Sequence, residues 1–401
     1  MKKLIICLVT FATIFSLVGC TTQPKKGGDY FIAIVTGTAS QSEDELRGAE
    51  AFMDKYGKFE DGGIVKHATY PDNFTEEMET VITTISSFGD DPKCKAIVVD
   101  QGVPGTAAAF EKIRANRDDI ILFIGSPHDD WQVAKDVCDL MIDPDNTARG
   151  YLMILAAKKM GAKKFVHVSF ARHMSYAQLS RRAAIMAEAC KDLGLEFIHE
   201  TAPDPTKSDV GVAAAQQFIL EQMPIWVEKY GKDTAFFCTN DAHTEPMLKK
   251  IAELGAIFVE PDLPSPIMGY PGAFGIDLKD EAGDWPAILA KVESAVVENG
   301  GGERMGTWAY SINYTAVLAL SELAKRCIEG TADFTKFSDM MDCFEMYTPG
   351  ARWNGSVFVD VDGVTRCENY FMLYQDTYVF GNTKYLNMID EEVPAKYFTI
   401  K

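Results

Sequence analysis

DYFIAIVTGTASQSEDELRGAEAF, residues 29–52, sets the grammar of the whole chain. Its run from Tyr30 to Gly37 is almost continuously apolar and rich in Ile and Val, the pattern of a strand buried on both faces of a parallel sheet. A short hydroxyl-rich loop follows. From Ser42 to Tyr56 the apolar residues then recur at helical spacing, so the stretch reads strand, polar loop, helix. Outward from it the same unit repeats. GIVKHATY (63–70) precedes a helical pattern over 75–88, KAIVVDQG (95–102) one over 106–115, and IILFIGS (120–126) a shorter helical piece that leads to LMIDPD (140–145). Alternating strands and helices of this kind predict βαβ units.

A second series begins at Asn146. Helical patterns at 146–160, 175–193, 210–229 and 245–254 alternate with the strand-like runs KFVHVSF (164–170), LEFIHET (195–201), TAFFCTN (234–240) and AIFVE (256–260). Pro224 is a point where the third of these helices can kink. Two series of similar size predict an α/β protein of two doubly wound parallel-sheet lobes, each with a crevice at the carboxyl ends of its strands. Further on, 285–298 and 312–329 read as helices, RMGTWAYS (304–311) is extended, and 355–375 alternates like a β-hairpin. The tail therefore recrosses between lobes. Residues 30–142 plus 309–332 are expected to form an N-terminal lobe, and 143–308 plus 333–401 a C-terminal lobe.

Ahead of the first strand stands MKKLIICLVTFATIFSLVGC (1–20). Lys2 and Lys3 form a basic start, Leu4 to Val18 an apolar core too short to span a bilayer, which takes about 20 residues, and Gly19 a small residue before Cys20. Residues 1–19 read as a cleaved export signal, and 20–29 as an attachment point and polar leash. LVGC resembles the bacterial lipobox, which implies cleavage before Cys20, acylation of its sulfur, and an extracytoplasmic protein held to the cell membrane by lipid.

Composition narrows the function. About 370 residues past the leash exceed what a single core usually organises, and 47% hydrophobic content is ample for two. The formal charge of −19 becomes −21 once Lys2 and Lys3 leave with the signal, which argues against nucleic acid as a partner. Seven cysteines follow Cys20, an odd number with no C-x-x-C spacing. They fit neither a zinc ribbon nor a disulfide framework, though a bridge between Cys343 and Cys367 stays open. The histidines show no H-E-x-x-H spacing and no G-x-S-x-G elbow occurs, so no enzyme chemistry, metal or cofactor is expected. DVDG (360–363) lacks the third acid and terminal Glu of a calcium loop and reads as a hairpin turn.

Four stretches carry a resemblance to a known family: residues 29–52, the segment KFVHVSFARHMSYAQLSRRAAIMAEACKDLG (164–194), TAFFCTNDAHTEPMLKKIAELG (234–255), and the region from MGYPGAFGID (268–277) to ALSELAKRCIEG (319–330). In order and spacing they resemble the type 1 periplasmic-binding-protein fold, the solute receptors of ABC importers, and most of all a group of bacterial lipoproteins known as a domain of unknown function. The resemblance implies a monomer that closes on a small polar solute and delivers it to an ABC permease; a lipoprotein of the same fold that reports ligand to a membrane receptor is the alternative. A cytoplasmic transcription regulator is disfavoured, since residues 1–29 hold a signal and not a helix-turn-helix.

Strand carboxyl ends nominate the ligand-binding residues. After the first strand these are Thr36, Thr38, Ser40 and Gln41; after 95–102, Gln101; after 120–126, Ser126 and His128. In the second lobe they are Arg172, His173, Asn240, Asp241, Tyr270 and Asp277, with Tyr310 at the crossover. Ser42 and Ser311 read as helix N-caps. The first loop lacks both the Asp and Phe-Asn pattern of nucleoside receptors and the aromatics usual in sugar receptors. Thr36, Thr38 and Ser40 are similar to a loop that holds amino-acid carboxylates. Sugar, nucleoside and amino-acid-like solutes all remain open.

Overall fold

The computed structural model describes residues 28–401; the signal at 1–19 and Cys20 lie outside the described residues. In the first lobe, β1 (Phe31–Thr36), β2 (Val65–Thr69), β3 (Cys94–Gly102), β4 (Ile121–Pro127) and β5 (Leu140–Pro144) pair in parallel in the order β2-β1-β3-β4-β5. This is a doubly wound order whose switch point falls between β1 and β3. All six residues of β1 are buried, and β3 pairs along both its edges, which is why their sequences run apolar without alternation.

The second lobe repeats the plan with β6 (Lys164–Ser169), β7 (Glu196–Thr201) and β8 (Thr234–Cys238) in the order β7-β6-β8. Residues 256–258 continue this sheet through parallel bridges from Ile257 to Ala235 and from Phe258 to Met305. Beyond them lies β9 (Gly306–Trp308). The expected strand at 256–260 is thus present as a short sheet connection, whose neighbours fix it at only two points.

The chain crosses between lobes three times: near 144–146, near 308–312 and near 375–377. The second crossing delivers the helix Ile312–Ile328 back to the first lobe, where it packs on the helix Ala39–Tyr56. Gly48 makes that approach possible, since a Cβ there would stand 2.9 Å from the Tyr314 carbonyl oxygen. The expected assignment of 333–401 to the second lobe needs correction. The antiparallel hairpin of β10 (Trp353–Val359) and β11 (Arg366–Gln375) extends the first sheet, with β11 parallel to β5 from Tyr370 opposite Met141 to Leu373 opposite Pro144. The unbroken apolar run Tyr370–Leu373 needs partners on both sides, and β5 supplies the open edge. Only β12 (Thr377–Val379), β13 (Lys384–Tyr385) and the final turns belong with the second lobe, where β12 pairs with β9. DVDG lies in the turn between β10 and β11, with Gly363 at φ 72°.

Two smaller expectations change. The first helix starts at Ala39, capped by Thr38, and Ser42 sits inside it at a kink (φ −143°, ψ 45°) instead of capping it; Ser311 does cap, accepting from Tyr314 N at 3.1 Å. Cys343 and Cys367 are both free and buried.

Candidate ligand cleft between the lobes

The strand ends of the two lobes face each other across a cleft of about 390 Å3, the size of a small-solute site. β3, β4 and β5 bring Gln101, Ser126, His128 and Asp143; the loops after β6 and β8 bring His173, Tyr176, Asn240 and Asp241; the helix Ala177–Leu193 brings Arg182; the hairpin brings Asp360 and Tyr370. Ser126 holds a left-handed backbone at φ 46°, uncommon for a residue with a side chain.

Half of the nominated residues meet here: Gln41, Gln101, Ser126, His128, His173, Asn240 and Asp241. The others are placed elsewhere. Thr36 ties the end of β1 to β2 through His67 Nε2 at 2.9 Å, Thr38 donates to Asp72, and Ser40 is exposed. Arg172 stands behind the wall, its Nε and Nη2 on Asp204 at 2.8 and 3.0 Å and its Nη1 on the Tyr176 hydroxyl at 2.9 Å, so it orients a lining residue without lining the cleft itself. Tyr270 is in the second-lobe core and donates to Gly306 O at 2.6 Å. Asp277 is exposed and caps Lys279 N at 3.0 Å. Tyr310 donates to Pro349 O at 2.8 Å in the crossover. Tyr270 and Asp277 follow irregular segments, with no strand end to aim them at the cleft.

Sequence reasoning missed Asp143, Arg182, Asp262, Tyr176, Phe74 and Tyr370. Asp143 was within reach, because it follows the apolar residues Leu140–Ile142 in the run LMIDPD that was read as a strand. Arg182 lies mid-helix and Tyr370 in a hairpin read as belonging to the other lobe, and neither position carries a local signal.

Carboxylates crowd the base of the cleft. Gln101 Nε2 donates to Glu45 Oε1 at 3.2 Å and, across the lobes, to Asp241 Oδ2 at 3.3 Å. Asn313 donates to Glu45 and Ser311 to Asp44. Burial, then the neighbouring Glu45, pushes the Asp44 carboxyl up to about 7. Burial pushes Asp143 up to about 7 against the pull of the Tyr370 hydroxyl at 3.0 Å. Asp100 and Asp241 are driven well above the usual carboxylate range, by burial first and by Glu45 second. His128 is driven the other way, to about 3, by burial and by Arg172, so it is a neutral ring. With Phe74 and Tyr176 it forms an aromatic wall, its ring centroid 6.3 and 5.3 Å from theirs. Arg182, itself buried, has Nη1 on Asn146 Oδ1 at 2.6 Å and Nη2 at 2.5 Å from Asp262 Oδ1, an ionic contact outside hydrogen-bond geometry.

Two doubly wound lobes of this strand order, crossed three times and enclosing a polar cleft, define a type 1 periplasmic-binding-protein fold. The chain belongs to the DUF3798 family, described as a protein of unknown function, whose model matches residues 30–306; a second family model matches 317–400. Two uncharacterized proteins of Treponema pallidum are similar to it, one 43% identical over 187 residues (46% of this chain, 85% of the relative) and one 38% identical over 211 residues (53% and 95%). Among solved structures, a Clostridium difficile 630 protein provisionally described as a transcriptional regulator has a TM-score of 0.69 at 24% identity, covering 88% of this chain and 99% of that one. An ABC transporter periplasmic solute-binding protein of Actinobacillus succinogenes with bound D-allose has a TM-score of 0.49 at 12% identity, covering 76% and 93%.

Proposed function

We propose that the protein is a lipid-anchored, extracytoplasmic solute-binding protein that closes on a small polar solute and hands it to an ABC importer. One observation carries this reading. Five residues lining the cleft point buried polar atoms at no protein partner: Gln41 Nε2, His128 Nδ1, Gln178 Oε1, Asp241 Oδ1 and Arg182 Nε. Each such group left dry costs about 1–3 kcal/mol, and they come from both lobes, so a solute that satisfies them holds the lobes together. The export signal and lipobox support the location. Among the described residues, no helix is long and apolar enough to cross a membrane, in keeping with attachment through Cys20.

The test is thermal unfolding of residues 21–401 against sugars, nucleosides and amino acids, after any co-purified solute has been removed by unfolding and refolding. A ligand at 100 times its Kd stabilises by about 2.7 kcal/mol, a readily visible rise in midpoint. If no solute raises it, the reading fails.

A further inference from the structure

Charge in the cleft is one-sided. The arginines nearest to it already hold carboxylates: Arg182 faces Asp262, Arg172 holds Asp204 at 2.8 Å, and Arg149 holds Glu260 at 2.8 Å. Asp241 and Asp143, by contrast, make no ion pair among the described residues, and Glu45 and Asp100 behind them make none either. Arg182 keeps Nε without a hydrogen-bond partner, but its charge already faces Asp262, so a phosphate or carboxylate entering here would meet compensated cations and acids that make no ion pair. Gln41, a lining residue only 7% exposed, also leaves its amide Nε2 buried with no acceptor. Among the described residues, no three acidic, histidine or cysteine side chains are arranged to hold a metal ion. The geometry points to a small organic solute carrying a protonated amine, its ammonium on Asp241, its body along the wall of Tyr176, His128 and Phe74, and an acceptor atom for Gln41. The inference deepens the solute-binding reading and rests on it.

Proton exchange follows from the same contacts. Asp241 is faced by Asp44 and Glu45 of the first helix, by Asp262, and by the Gln101 amide. In an empty cleft, burial and these neighbouring acids favour its protonated form. An arriving ammonium turns it into a carboxylate, and the proton leaves to solvent. Amine affinity therefore rises with pH above the usual carboxylate range, by up to about tenfold per unit for each proton released, whereas a neutral solute gains nothing.

Matched pairs of nearly equal shape make the test: putrescine with butanediol, cadaverine with pentanediol, cyclohexylamine with cyclohexanol, each followed by the unfolding midpoint of residues 21–401 and by calorimetric titration at pH 5.5, 6.5 and 7.5. The expected result is that an amine raises the midpoint and its neutral twin does not, that its Kd falls as pH rises, and that Asp241→Asn weakens it about 10- to 100-fold, the loss of one hydrogen bond to a charged group. If a neutral twin binds equally, if affinity is flat or falls with pH, or if folded Asp241→Asn binds as before, the amine assignment is overturned while solute binding stands. If no compound of either charge binds, both readings fall. Should Asp241→Asn not fold, the pH series on the unaltered protein decides.

Discussion

Asp100 shows how much one residue can hold. Its carboxyl is fully buried, packs on Gly125, where a Cβ would stand 2.5 Å from it, and neither oxygen has a hydrogen-bond partner. Its affinity for a proton is raised by burial first, then by Glu45 and Asp143. A carboxyl with a raised folded pKa contributes stability that is fully present below its unfolded pKa, near 4, and lost as pH rises toward the folded value. Asp44 and Asp143, at about 7, act in the same direction. Surface acids such as Asp119, held low by Arg117 and Lys95, lose their contribution only on acidification below about pH 4. The ligand-free protein is therefore expected to lose stability from pH 5 to pH 8, and Asp100→Asn to flatten that slope. Denaturant unfolding at both pH values checks it; a variant that falls as steeply as the parent would remove Asp100 from the account. As a polar strand end, Asp100 was legible in the sequence. Asp44 and Glu45 were not: SEDELR reads as a solvated helix face, and only the neighbouring helix Ile312–Ile328 turns that face inward.

Among elements, those with an unbroken period were legible, and those defined by a distant partner were not. The parallel strands and the helices at 106–114, 146–159, 285–298 and 312–328 fall within a residue or two of where spacing puts them. The helix Phe337–Tyr347 went unread, and the hairpin was recognised as a hairpin but given to the wrong lobe, because its pattern does not name the sheet it joins. Its attachment depends on long-range contacts. Arg181 of the helix Ala177–Leu193 donates to Ile400 O at 3.0 Å, Phe398 O at 2.7 Å and Val359 O at 3.5 Å, so it fastens the C-terminal turns and the base of β10 to the second lobe. Arg181→Ala removes a charged donor from those carbonyls and is expected to destabilise by about 1.5–3 kcal/mol, with early proteolytic cleavage in the last few residues. A second cap spans elements: Asp129, after β4, accepts from Gly105 N at 3.3 Å and Ala107 N at 2.8 Å at the start of the helix Thr106–Arg114. Asp129→Ala should cost about 1 kcal/mol, read as a lower denaturation midpoint with an unchanged m-value.

At the scale of the whole molecule, the lobes touch at the cleft mouth as well as at its base. Thr75 and Thr206 share a hydroxyl contact at 3.2 Å, Ser208 N donates to Glu76 Oε1 at 3.2 Å, and Gln101 reaches Asp241. Opposing these contacts is the set of acids that the closed arrangement brings together, Glu45, Asp44 and Asp241 among them. In the solute-binding reading proposed above, closure balances these polar contacts against the cost of burying the acids at the floor, and a solute shifts it by its differential affinity for the closed form. Removing rim contacts should lower the closed population without touching the floor. Apparent affinity falls in proportion to that population. Glu76→Ala combined with Thr75→Ala is expected to weaken solute binding severalfold, to leave the unfolding midpoint of the ligand-free protein nearly unchanged, and to raise its radius of gyration in solution scattering, with saturating ligand restoring the compact value. Equal radii for parent and variant without ligand, together with equal affinity, would mean that the rim contacts hold nothing, and that closure rests on the floor and the three crossings alone.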